Sequence, residues 1–204
     1  MCTELINNSM ADSNTTATYY NELKRILSGT EYGSINNDER YHNAEILRLF
    51  LEEGGNIRMF CGEMSVFRKG FYAHITEERG VDDAKFIRGI IEDRLTKFFE
   101  STENSLEIIL ARPIRFSEMS DLLCDSLLWN KLNTPALSIK VGNEWVQKAK
   151  TLDHFMYSDK RIMRLEDDAV NHKGYFAANI PPKFYKEIEE TYEVIRKDAT
   201  AIAF

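Results

Sequence analysis

Cysteine and proline are scarce in this chain, with three and four copies in 204 residues. Cys2, Cys61 and Cys124 are odd in number and far apart, and none belongs to a CxxC pair or a metal-spaced set. That excludes a disulfide framework and a zinc ribbon. No apolar run reaches the roughly 18 residues of a membrane-spanning helix, so none is expected. The opening stretch MCTELINNSMADSNTT is polar and acidic, unlike a signal peptide. The expectation is a cytoplasmic protein with no membrane partner. Basic charge is also short: 26 Lys and Arg against 33 Asp and Glu, for a net charge of −7. This opposes non-specific binding to duplex nucleic acid, which depends on basic surface and counterion release. The glycine fingerprints GxGxxG and GxxxxGK[ST], the nucleophile elbow GxSxG and the zinc motif HExxH are missing as well. No cofactor and no metal are therefore expected.

What is present is the mix of a globular protein, 43% hydrophobic and 29% charged. The length suits one domain with a sizeable core. Residues 1–17 are rich in Asn, Ser and Thr and read as a flexible arm. Residues 18–204 read as a single α/β domain, in which 18–37 supply an appended helix and a linker. Helices are expected over 18–28, from a cap at Asp38 to Gly54-Gly55, over 65–75, 81–100, 117–132 and 182–197. Strands are expected over 56–61, 105–111, 136–141, 154–158, 161–166 and 175–179, with GNEW as a turn. Helices and strands alternate early, and strands follow one another closely later. That pattern predicts an α/β fold with a mixed sheet flanked by helices, parallel strands first and a hairpin at one side. The C-terminal ATAIAF is apolar after a charged helix, so it either docks on the core or meets another chain.

Two places carry candidate chemistry. The loop Gly62-Glu63-Met64-Ser65 follows a strand and leads into a helix, where free N–H groups suit an anion. Its plain reading is a strand-to-helix turn with Ser65 as the cap and Glu63 favouring the helix dipole. The second place is LDHFMYSDKRIMRLEDDAVNHKGYFAAN, Leu152–Asn179. On a strand, Arg164 and Glu166 point to one face, which His154 is expected to share. His154, Asp159, Arg164, Glu166 and Asn179 then form a polar cluster for an anionic or polar ligand. The plain alternative is a salt-bridged hairpin with Asp159 in an Asx turn. Cations that would line a local basic cleft are Arg112, Arg115, Lys160, Arg161 and Arg164. Cys61 is expected to be a buried hydrophobe, with a reactive thiol as the alternative. His42, His74, His154 and His172 form no metal set.

The 152–179 segment resembles the active-site strands of the phospholipase D-like superfamily. Their motif H-x-K-x-x-x-x-D is followed by a return strand and a downstream asparagine. With Asp159 on the motif's aspartate and Asn179 on its asparagine, Leu152 stands at the nucleophile and His154 at the lysine. The resemblance implies a single lobe of that fold. The two replaced positions imply a non-catalytic binding or regulatory module, acting through a polar cleft or a homodimer face. The alternative is a phosphodiester hydrolase or nuclease with a modified site, using His154, Asp159, Arg164, Glu166 and Asn179. The ligand-binding set would be Gly62, Glu63, Ser65, His154, Arg164 and Asn179. Expected partners are a second copy or another protein, or a small anionic ligand.

Overall fold

The protein is described here by a computed structural model covering residues 16–149, 152–168 and 173–202. The expected arm lies outside the described residues as far as position 15, and so does His172. Three apolar segments form the parallel heart of the sheet: β2 (Asn56–Cys61), β3 (Ser105–Leu110) and β4 (Leu137–Val141). Near-continuous apolar runs such as MFC and IIL suit strands covered on both faces. Beside β2 an antiparallel meander adds β5 (His154–Ser158), β6 (Ile162–Asp168) and β7 (Lys173–Ala178). Strand β1 (Gly33–Asn37) closes one edge on β7, and β8 (Thr200–Ala201) closes the other on β4. The order is β1-β7-β6-β5-β2-β3-β4-β8, a mixed sheet with parallel strands at one side and the hairpin at the other.

Helices pack on both faces. One face carries α1 (Thr16–Ser28), α2 (Arg40–Glu53), α3 (Lys69–Arg79) and α4 (Val81–Glu100). Leu23, Leu47, Phe50, Ile75 and Ile91 from these helices bury against Ile57, Met59, Ile108, Met156 and Phe176 of the strands. The other face carries α7 (Glu144–Lys148) and α8 (Pro182–Arg196). There Val146, Tyr192 and Ile195 pack on Phe60, Ile109, Phe155 and Tyr157. Strand alternation divides these two sets, since neighbouring residues point to opposite faces. Pro182 fits the first turn of α8, because the N–H it lacks is one of those a helix start leaves without an intrahelical partner.

Several local expectations are corrected. Residues 33–37 are not linker but an edge strand, because Gly33–Asn37 pair with Gly174–Ala178. Asp38 does not cap α2: Glu39 takes the N-cap position without a side-chain bond, and the Asp38 N–H donates to His42 Nδ1 at 3.3 Å. The stretch 65–75 is broken, with Met64 left-handed, a 3₁₀ turn over Ser65–Phe67, and Arg68 extended before α3. Ser65 therefore caps no α-helix. Cys124, left-handed at φ 48, splits 117–132 into α5 (Phe116–Met119) and α6 (Asp125–Lys131). GNEW opens α7, where Asn143 Oδ1 accepts the Val146 N–H at 3.1 Å. The tail docks on the sheet through β8, and Ile202 is buried.

Helix α1 is held by more than Leu23, whose burial is worth about 2 kcal/mol. Its Tyr20 hydroxyl bonds Glu52 of α2, and the Arg48 guanidinium lies 3.6 Å over the Tyr20 ring. Lys24 meets Glu53 at 3.0 Å, and Arg94 of α4 reaches Glu52 at 2.8 Å. Burial acts to raise the Glu52 carboxyl. The bonds from Tyr20, Arg48 and Arg94 outweigh it and bring the pKa from 4.5 down to about 2. A carboxyl lowered on folding stabilises the fold above its unfolded pKa and loses that contribution as pH falls through its folded one. Urea unfolding should therefore show stability falling between about pH 5 and pH 2, with roughly 1–2 kcal/mol of the loss due to Glu52 after solvent screening. Glu52→Gln should be less stable at neutral pH and show a flatter acid limb. An unchanged limb would refute this role.

Candidate functional site

The site grows out of two strand registers. Antiparallel pairing of Phe60 with Phe155 brings the start of β5 to the end of β2, so His154 lies beside Cys61 and Gly62. Pairing of β5 with β6 sets His154 opposite Glu166 and Met156 opposite Arg164. Alternation then turns His154, Arg164 and Glu166 to the face covered by α2. His154 Nδ1 stands 2.9 Å from Glu166 Oε2. Arg164 donates from Nη2 to Glu166 Oε1 at 3.3 Å, and from Nε to Asn43 Oδ1 of α2 at 2.8 Å. Asn37 Nδ2 of β1 donates to the same Asn43 oxygen. Arg164 and Glu166 are both buried, with side chains about a tenth exposed.

A cavity of about 180 Å³ opens over this group at the carboxyl end of β2, where ligands gather in open α/β sheets. Gly62, Glu63, Ser65, His154, Arg164 and Glu166 line it, so both sequence candidates meet in one place. Arg112 lines it as well and forms an ion pair with Glu63 at its exposed rim. The Glu63 carbonyl accepts from Arg68 Nε at 3.0 Å, which fixes the loop from below. Gly62 sits close to the imidazole: a Cβ there would stand 3.3 Å from His154 Cε1 and 3.5 Å from Nε2.

A carboxylate can only accept, so Glu166 sets the proton on His154 Nδ1 and leaves Nε2 as the ring's acceptor. Among the described residues, nothing bonds to Nε2. Burial pushes the Glu166 carboxyl up. The bond from His154 and the Arg164 charge more than offset this and hold it below its ordinary value. Cys61, also lining the cavity, is fully enclosed, and burial pushes its thiol up to about 12. It is therefore a packing residue and not a thiolate nucleophile. Among the described residues, no group of three His, Cys, Asp or Glu side chains is placed to hold a metal ion.

The five-residue cluster expected from sequence does not assemble. Asp159 and Asn179 lie at the opposite end of the sheet, because β7 runs parallel to β5 and both leave it there. Asp159 Oδ2 accepts from Asn56 Nδ2 at 2.9 Å. Asn179, left-handed at φ 56, donates to the Gly29 carbonyl at 2.7 Å and closes the end of α1. Lys160 and Arg161 sit in the turn at that same far end, away from the cavity. His42 stacks on Tyr19 at 3.7 Å, and exposed His74 meets Glu77. Sequence reasoning missed Asn43. Its signal was a polar side chain one turn before Leu47, on the apolar stripe of α2, and it is indeed buried.

No family model matches this chain, and no curated protein matches it in sequence. Solved structures do resemble it. The archaeal chromatin protein TrmBL2 aligns with a TM-score of 0.50 at 11% identity, over 89% of this chain and 59% of that one. NucT from Helicobacter pylori aligns with a TM-score of 0.49 at 10% identity, over 84% of this chain and all of the other. Nuc from Salmonella typhimurium, a phospholipase D family member, aligns with a TM-score of 0.49 at 7% identity, over 85% and 99%. Likenesses at these identities concern the fold and not the activity. The chain has an α/β architecture, an eight-stranded mixed sheet flanked by helices.

Removing one member of a buried ion pair strands the other. Arg164→Met should cost about 3 kcal/mol in urea unfolding, and adding Glu166→Gln should restore part of that loss. A loss in the double variant equal to the sum of the two single losses would mean that the pair is not coupled.

Proposed function

We propose that this chain is a non-catalytic binding module that holds a small polar or anionic ligand in the cavity over His154 and Arg164. The supporting observation is its charge balance. Both guanidinium groups that line the cavity already hold a carboxylate, Arg164 with Glu166 and Arg112 with Glu63. Phosphoryl transfer needs unspent positive charge where negative charge develops, and this lining supplies no surplus. His154 offers Nε2 as a hydrogen-bond acceptor, or as a donor once protonated, and the cavity turns net positive only with that proton. Among the described residues no lysine lines the cavity, which favours the same reading.

One observation favours the alternative, a phosphodiester hydrolase or nuclease with a modified site. A carboxylate bonded to Nδ1 orients an imidazole for base or nucleophile work at Nε2, and Glu166 makes that bond at 2.9 Å. The two readings separate in one experiment. The protein is incubated with bis(p-nitrophenyl) phosphate and with single- and double-stranded nucleic acids, beside His154→Ala. The expected result is no turnover in either protein. Inorganic phosphate or a phosphomonoester should shift the His154 and Gly62 NMR signals. Turnover that His154→Ala abolishes would establish the hydrolase instead.

The rim also suits a second copy of the chain. Glu63 and Arg112 form a pair that two protomers can exchange across a two-fold axis, as an isologous contact requires. Sedimentation equilibrium should show self-association that Arg112→Glu abolishes. A monomer at every concentration would remove this partner.

A further inference from the structure

The two faces of the sheet are unequally covered. On the side of α7 and α8, the last helix lies over β5, β2 and β3: Tyr192 stacks edge-on against Phe155 and Tyr157, and its hydroxyl bonds the Glu107 carbonyl. Strands β6 and β7 extend beyond it. A strand whose outer face meets water ordinarily alternates apolar with polar residues. Here the outward positions carry Met163, Leu165, Tyr175 and Ala177, while the inward ones carry Ile162, Arg164 and Phe176. Past the exposed Lys173 at the start of β7, the outer face of these strands is thus as apolar as a covered one. Beside α8 it becomes the floor of a second cavity of about 620 Å³, walled by Phe184 and Ile188 of α8 and by Tyr32. That volume lies within the range of small-molecule sites. Phe184 and Tyr32 are more than half exposed, an unusual cost for large rings with nothing to cover them.

We propose that this groove binds a ligand with an apolar body and one amine or quaternary ammonium group. Charge complementarity selects the cation. Among the described residues, the acidic or basic side chain in the lining is Glu187, a carboxylate one turn along α8 from Phe184, and no Lys or Arg lines the groove. Tyr32, Tyr175 and Phe184 add aromatic faces, whose negative charge attracts a cation and does nothing for an anion. The apolar floor gives affinity without orientation. The carboxylate and the rings at the α8 side fix which end of the ligand lies there. The groove opens on the opposite face of the sheet from the His154 cavity, with Phe155 lining both.

Three probes of one shape test this: phenylbutylamine, phenylbutanol and phenylbutyrate, titrated into the full chain by NMR. The amine should bind roughly three- to tenfold more tightly than the alcohol, with the acid weakest, as a carboxylate and aromatic faces at a half-exposed site allow. Signals of Leu165, Tyr175 and Ile188 should move, and those of Gly62 and His154 should not. Glu187→Gln, an exposed change, should close the gap between amine and alcohol while both still bind. Ile188→Lys should abolish binding of all three. Equal affinities for the three probes, no saturable binding, or shifts centred on His154 would each overturn the proposal. So would a dimer that Ile188→Lys dissociates, because the groove would then be a face between copies of this chain.

Discussion

The pairing of β5 with β6 is the constraint on which the rest of the site depends. Ser158 pairs with Ile162 across a turn that places Arg161 left-handed, at φ 54. From that point the register runs without interruption to His154 and Glu166, four residues along each strand. A slip by one residue would turn Arg164 and Glu166 to the other face and exchange them for Met163 and Leu165. The imidazole would lose its carboxylate, and two charges would enter the tyrosine-lined core beneath α8. The ion pair and the register thus protect each other. Desolvating Arg164 and Glu166 is costly, and only the native pairing provides Asn43 and His154 as their remaining partners.

The same arrangement explains why α1 and β1 belong to the working structure. Asn37 of β1 shares the Asn43 oxygen with Arg164, so the edge strand reaches the site through one hydrogen-bond chain. Helix α1 is tied to α2 by the Glu52 network, and α2 carries Asn43. The N-terminal helix and the edge strand thus both hold α2 through polar contacts inside an otherwise apolar layer, one at Glu52 and the other at Asn43 beside the buried arginine.

Much of this was legible in the sequence, for identifiable reasons. The apolar runs at 56–61 and 105–110 and the helix over 81–100 are long or strongly patterned, so local signal and burial agree. The His154-Arg164-Glu166 face followed from period two alone, and the Gly62–Ser65 loop from its place after a strand. The failure at Asp159 and Asn179 arises because spacing along the chain does not fix which end of a strand a residue reaches. Asp159 and Asn179 matched a motif by order, yet both stand where β5 and β7 leave the sheet, opposite the cavity. The GSINN segment has almost no apolar residue, and it became a strand only because β7 offered it an unpaired edge. Cys124 broke a helix through a left-handed backbone, which composition does not reveal.

The pairing of β1 with β7 also governs the order in which this protein is completed. Gly33 meets Ala178 and Asn37 meets Gly174, so that ladder closes across most of the chain. Contacts so distant in sequence form late, because closing a long loop costs entropy before any bond repays it. On the ribosome, the first strand made must wait for almost the last. Until then Asn37 has no strand to pair with, although Asn43 and Arg164 have both been made. The edge strand is therefore seated near the end of folding, and a nascent chain stopped before β7 carries the parallel half of the sheet and the β5–β6 hairpin with no place for β1.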